Sequence, residues 1–124
     1  MERERVSRWL EAYVAAWRSY DRADVGELFS DDAVYRWHPW DEPVRGREAI
    51  VAAWLEDRDE PGTYDARYEP VAVDGDLAVA VGHSAYTNAD GSIDRIYDNC
   101  YLIRFDADGR YREFTEWYMR RPAE

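Results

Sequence analysis

Three turn signals punctuate the C-terminal half of the chain: Asp74-Gly75-Asp76, Asn88-Ala89-Asp90-Gly91 and Asp106-Ala107-Asp108-Gly109. Each joins runs rich in Tyr, Val, Ile and Phe. Gly after Asp or Asn supplies the positive φ that tight hairpins need. The spacing therefore predicts four long strands: Thr63–Asp74, Leu77–Thr87, Ser92–Phe105 and Arg110–Arg120. Pro70 interrupts the first. Strands joined by successive hairpins form an antiparallel meander.

The N-terminal half follows another period. Val6, Trp9, Leu10, Tyr13, Val14 and Trp17 fall on one stripe of a helix. Asp21-Arg22-Ala23-Asp24 resembles a capping box with Asp in place of Ser. It predicts a short second helix carrying Val25, Leu28 and Phe29 and ended by Asp31-Asp32. Ala33–His38 reads as a strand, and Pro39 and Pro43 forbid its continuation in a sheet centre. Gly46 begins a third helix with Ile50, Trp54 and Leu55 on one face, broken by Asp59–Gly62. The order α-α-β-α-β-β-β-β, with helices gathered at one end, defines an α+β class. A strongly bent antiparallel sheet wrapped over three N-terminal helices makes a cone with a pocket at its open end. One domain over residues 1–124 is the expectation.

Composition narrows the function. Twenty-seven acids against sixteen arginines leave a formal charge of −11. A nucleic-acid binder needs a basic footprint, so nucleic acid is excluded as a partner. No apolar run is long enough to span a membrane, and the charged Met1–Arg5 start is followed by no apolar leader, so a cytoplasmic location is expected. There is no lysine, hence no Schiff base on this chain. This all-arginine usage fits either a GC-rich genome or a salt-adapted surface. Cys100 is the only cysteine, which excludes an internal disulfide and a thiolate cluster and predicts a buried thiol. His38 and His83 lack metal-ligand spacing, so neither metal nor cofactor is expected.

The stretches "YVAAWRSYDRADVGELFSDDAVY" and "PVRGREAI" resemble the nuclear-transport-factor-2-like superfamily in its SnoaL-like branch. "YDNCYLIRFDADGRYREFTEWY" is similar to that branch's closing hairpin. The resemblance implies a cystatin-like α+β barrel of the ketosteroid isomerase and polyketide cyclase type, and a homodimer. The superfamily holds isomerases, dehydratases, epoxide hydrolases, cyclases and non-catalytic domains, so the fold alone does not assign chemistry.

Two of its catalytic patterns have partial counterparts in this chain. The isomerases carry a helix-one Tyr, an Asp before a Pro on the first strand, and a protonated Asp on the penultimate strand. Tyr13 matches the first. Trp37 or His38 falls at the second, depending on alignment, and Tyr101 at the third. The base carboxylate is thus missing. The epoxide hydrolases need Arg-x-Asp on one strand and Asp on the last. Glu116 matches the last, while the Arg-x-Asp position falls near His83-Ser84-Ala85.

Glu116 remains the leading candidate. Strand alternation puts Phe114, Glu116 and Tyr118 on one face, and Tyr97, Asn99, Tyr101 and Ile103 on one face of the neighbouring strand. If both point inward, burial raises the Glu116 pKa toward the range of a general acid or base. The competing reading pairs Glu116 with an Arg across the ladder, with Arg112 nearby. Asn99 is unusual in a strand and fits either a pocket amide or a bulge. His38 either takes the base position or sits outward on the rim. His83 reads as structural. Asp98, Arg95 and Arg104 read as outer-face charges, and Arg45 and Arg47 as exposed.

The catalytic set is therefore Glu116, Tyr13, Asn99 and His38. The ligand-binding set is Trp17, Tyr35, Trp37, Trp54, Tyr101, Phe114 and Tyr118, with Trp40 covering the rim. Such rings suit a small hydrophobic or aromatic molecule. Two functions stand at this point: a cofactor-independent isomerase, cyclase or dehydratase acting on a small hydrophobic or polyketide-like carbonyl compound, or a non-catalytic binding or assembly domain. An apolar outer face with Ile96, Cys100 and Leu102 predicts a homodimer through the sheet.

Overall fold

The computed structural model describes residues 2–56 and 58–122, so the range expected as one domain reaches beyond it at residues 1, 57, 123 and 124. The chain begins with helices α1 (Arg3–Ser19) and α2 (Arg22–Glu27), then strands β1 (Phe29–Arg36) and β2 (Val44–Arg45) and helix α3 (Arg47–Glu56). Strands β3 (Tyr64–Asp74), β4 (Leu77–Thr87), β5 (Ile93–Phe105) and β6 (Tyr111–Arg120) follow. This is the expected α+β architecture of three helices and a curved sheet.

The predicted stripe is what α1 buries. Val6, Trp9, Leu10 and Tyr13 face the sheet, while Val14 and Trp17 are half-buried. Removing each large ring or aliphatic chain from water stabilises the fold by about 1.5–3 kcal/mol. Asp21 caps α2, its carboxylate accepting from the Ala23 and Asp24 backbone N–H at 2.9 and 3.1 Å. The reciprocal half of a capping box is replaced: Ser19 Oγ accepts from the Asp21 N–H and donates to Asp24.

Helix α2 is shorter than predicted. Phe29 opens β1 rather than ending the helix, because its backbone pairs with Tyr111 and Leu28 O accepts from Tyr111 N. Sheet pairing here overrides helical spacing. The Trp9 indole donates to the same Leu28 carbonyl at 3.2 Å and ties α1 to this junction. Arg47, expected to be exposed, is half-buried and donates from Nε and Nη2 to Phe29 O at 3.0 and 2.8 Å.

The six strands run in the order β2-β1-β6-β5-β4-β3. The sheet is mixed, not wholly antiparallel: β1 lies parallel to β6. The two-residue β2 was not predicted; it pairs with β1 on the edge. Register shifts interrupt the β1–β6, β3–β4, β4–β5 and β5–β6 pairings. Such bulges increase local twist and bend a sheet. Pro70 sits at one of them, which accommodates its missing N–H. No helix among the described residues is long and apolar enough to cross a membrane.

Candidate functional site

Strands β5 and β6 set the site by register. Tyr101 pairs with Glu116 and Asn99 with Tyr118. The inner face therefore carries Tyr97, Asn99 and Tyr101 on β5, opposite Glu116 and Tyr118 on β6. Asn99 Nδ2 donates to Glu116 Oε2 at 2.9 Å. Ser84 Oγ donates to Asn99 Oδ1 at 3.1 Å, and the Tyr68 hydroxyl lies 2.6 Å from Ser84 Oγ. Because the amide N–H faces the carboxylate, its carbonyl is left for Ser84, whose oxygen is left for the Tyr68 proton. A hydrogen-bonded row thus crosses β3, β4, β5 and β6.

Glu116 is 8% exposed. Burial pushes its carboxyl up to about 7; the Asn99 hydrogen bond, the charge of His38 and the Tyr101 phenol partly offset that rise. Among the described residues it has no arginine partner, so the ladder pairing considered from sequence is not formed; Arg112 bonds Asp76 instead. The surrounding phenols are held neutral. Burial first, then nearby phenols and the Glu116 charge, raise the pKa values of Tyr13, Tyr35 and Tyr101. Tyr68 is pushed up to about 12, again mainly by burial.

Two concave spaces share Tyr13, Trp17 and Trp37 as a common wall. One, of about 340 Å³, is lined by Glu116, Asn99, Ser84, Tyr68, Tyr101 and Tyr118, with Asp59, Tyr86, Arg95 and Tyr97. The other, of about 290 Å³, is lined by Tyr20, Tyr35, Ala53 and Trp54. The Tyr13 and Tyr35 hydroxyls meet at 3.3 Å. The first lobe is polar and the second aromatic.

Most candidates from sequence line these lobes, but not all. Phe114 is fully buried behind the wall, packed on Tyr35, Tyr101 and Tyr13. It supports the site and does not border it. His38 also lies outside the lining. Its imidazole is held by Asp41 and Tyr118 and stacks on Trp40 at 4.9 Å between ring centres. Trp40 itself is 79% exposed, so it packs on the histidine and covers little.

Other placements differ from expectation. Cys100 is half-buried on the outer face, not a core thiol. Arg95 points inward. Its guanidinium stands 4.2 Å from the Tyr86 ring centre and also binds Asp94. The reason was available in the sequence: Arg95 shares the parity of Tyr97 and Asn99. Asp98 and Arg104 do face out, pairing with Arg121 and with Asp76 and Glu113. Ser84, Tyr68, Tyr86 and Asp59 were missed. The first three needed cross-strand register, and Asp59, which accepts from the Trp17 indole at 3.0 Å, came from a segment read only as a helix stop. Among the described residues no group of three His, Cys, Asp or Glu stands together as a metal site.

A curved sheet closed over three helices, with a carboxyl buried among rings on its inner face, defines a protein of the nuclear-transport-factor-2-like class. The SnoaL-like domain family matches residues 10–114, and the chain belongs to that family. Among solved structures it is similar to an NTF-2 like protein of unknown function from Burkholderia xenovorans LB400, with 18% identity and a TM-score of 0.71, covering 98% of this chain and 87% of that one. It is also similar to an M. tuberculosis LEH-like epoxide hydrolase, with 18% identity and a TM-score of 0.68, covering 96% and 86%. No curated protein matches the chain.

Proposed function

We propose that this chain is a cofactor-independent enzyme that moves a proton on a small, largely apolar carbonyl compound, in an isomerase, cyclase or dehydratase type of reaction. The observation that carries this reading is the buried Glu116 on a cavity wall, its pKa pushed up to about 7. A carboxyl poised there serves as base and then acid near neutral pH. The carboxylate takes a proton from the carbon beside the carbonyl. The C–H electron pair moves onto the carbonyl oxygen, and the resulting enolate takes the proton back at another carbon. Asn99 holds the carboxylate in one orientation. The Tyr13 and Tyr35 phenols supply donors for the oxygen as charge develops.

Deuterium wash-in tests this without knowing the product. A panel of small ketones is incubated with the protein in D₂O, and exchange at the carbon beside the carbonyl is followed by NMR. Exchange with at least one ketone is expected, rising as pH passes about 7, where Glu116 deprotonates. Background exchange with every ketone, or a rate flat across that range, removes the reading.

Binding without turnover is the second reading. The fully formed aromatic lobe beside Trp54 favours it, and it would give ketone affinity with no exchange. Water addition to an epoxide, the activity named for the M. tuberculosis neighbour, has less support. At the position expected for an Arg-x-Asp pair, Ser84 is buried and His83 is exposed.

We also propose that two copies pair through the outer sheet face, where Leu102, Trp117 and Met119 are exposed. Sedimentation at micromolar concentration is expected to give a dimer, and Trp117→Arg a monomer. A wild-type monomer would reject this pairing.

A further inference from the structure

We propose that Asp41, His38 and Tyr118 form a proton relay linking the cavity mouth to solvent, with Tyr118 as the group that meets the ligand. It rests on the reading of Glu116 as the base, and adds a solvent-connected proton donor for the ligand oxygen to the Tyr13 and Tyr35 phenols.

The geometry has three parts. Asp41 Oδ2 lies 2.9 Å from His38 Nδ1 and also accepts from the His38 backbone N–H at 3.2 Å. One carboxylate oxygen thus fixes both the ring and the main chain of the histidine. With Nδ1–H committed to Asp41, the other ring nitrogen is free for a second partner. That partner is the Tyr118 hydroxyl, 2.6 Å from Nε2. Trp40 stacks on the imidazole face, its ring plane within 13° of parallel, and limits its rotation.

Tyr118 ties this triad to the site. It follows Glu116 by two on β6, on the same face, and borders the same polar lobe. The imidazole is about a third exposed, so it exchanges protons with water. The charged or titratable groups facing the relay are Asp41 from the loop after β1, Glu116 from β6 and Tyr97 from β5. Burial first, then the charges of Glu116, Tyr97 and Asp41, raises the pKa of the Tyr118 phenol and holds it neutral.

Glu116 takes a proton from carbon, and the electron pair moves to the ligand oxygen. Tyr118 gives that oxygen its hydroxyl proton and takes the Nε2 proton of the imidazolium. His38 becomes neutral and is reprotonated from water. Every transfer is reversible and no oxidant or reductant is needed. Tyr118 touches the ligand; His38 and Asp41 act through it as positioning residues.

Two readouts test the relay. The first is ¹⁵N NMR of His38, which needs no substrate. The Nδ1–H tautomer is expected at high pH. Asp41→Asn should shift the Nδ1 signal, and Tyr118→Phe should shift the Nε2 signal. The second is the ketone exchange assay. Tyr118→Phe should slow exchange by about 10²-fold with little change in KM, and Asp41→Asn by about tenfold, while the inflection near neutral pH persists. Glu116→Gln should abolish exchange in every background. An Nε2–H tautomer, or normal exchange in Tyr118→Phe beside a dead Glu116→Gln, overturns the relay and leaves the base reading intact. If wild type exchanges no ketone, the base reading fails. In that case an Nδ1–H tautomer whose Nε2 signal responds to Tyr118→Phe still supports the hydrogen-bonded path, and any other tautomer overturns it.

Discussion

Glu116→Gln is expected to stabilise the protein above neutral pH while removing its proton transfer. The stability half follows from linkage. The native carboxyl is pushed up to about 7 from an ordinary value of 4.5. Between those values the native state holds a proton that the unfolded chain has lost. Stability of the wild type therefore falls as pH rises through this window, and the loss is complete above the native pKa. Glutamine does not titrate and keeps an acceptor for Asn99. The variant's advantage should grow by about 3 kcal/mol between about pH 4 and pH 8. Urea unfolding of both proteins across that range measures it. A pH-independent difference would mean that Glu116 ionises as easily in the fold as in water. The functional half is a loss of about 10²–10⁴-fold in exchange rate, the usual contribution of one placed acid or base. A variant both sturdier and inactive would show that the carboxyl is kept at a cost in stability.

Gly82→Ala is the second large effect. Gly82 pairs with Tyr68 across β3 and β4. A methyl group there would lie 2.0 Å from the Arg67 carbonyl oxygen and 2.8 Å from the Tyr68 Cα. Both are backbone atoms, so no rotamer change relieves the clash; the strands must part. We expect a loss of about 3 kcal/mol, or a Tm lower by about 10 °C, in thermal unfolding. The Tyr68 ring crosses the bare backbone of Gly82 to reach Ser84. The substitution should therefore also break the polar row that ends on Glu116. A fully stable Gly82→Ala protein would show that β3 and β4 are less closely paired at this point than described.

The strands after residue 63 were legible because turn chemistry and period-two patterning agree there. The predicted Leu77–Thr87 run is β4 residue for residue. The parallel pairing of β1 with β6 was not legible, since local pattern carries no information on partners far apart in sequence. The same limit hid β2 and the true start of β1 at Phe29. In the site, Glu116 and Asn99 were found by parity along single strands. Parity carried two residues further along β5 also finds Arg95. Ser84 and Tyr68 enter only through register with Asn99, and Asp41 only through the turn that folds it back on His38. Phe114 had the right parity but lies too deep: it is sealed beneath Tyr13, Tyr35 and Tyr101.

The position of β6 between β1 and β5 has a consequence for biogenesis. This strand follows the other five in chain order yet is interior to the sheet. A nascent chain that has emerged only as far as Phe105 holds two disconnected fragments, the β1–β2 ribbon and the β3–β5 meander, with Tyr35 and Tyr101 lacking their shared neighbour Phe114. Closure must wait for a strand about eighty positions downstream of its parallel mate, a long-range pairing of the kind that slows folding. Ribosome-bound intermediates should therefore be sticky and chaperone-dependent until residues 111–120 are released.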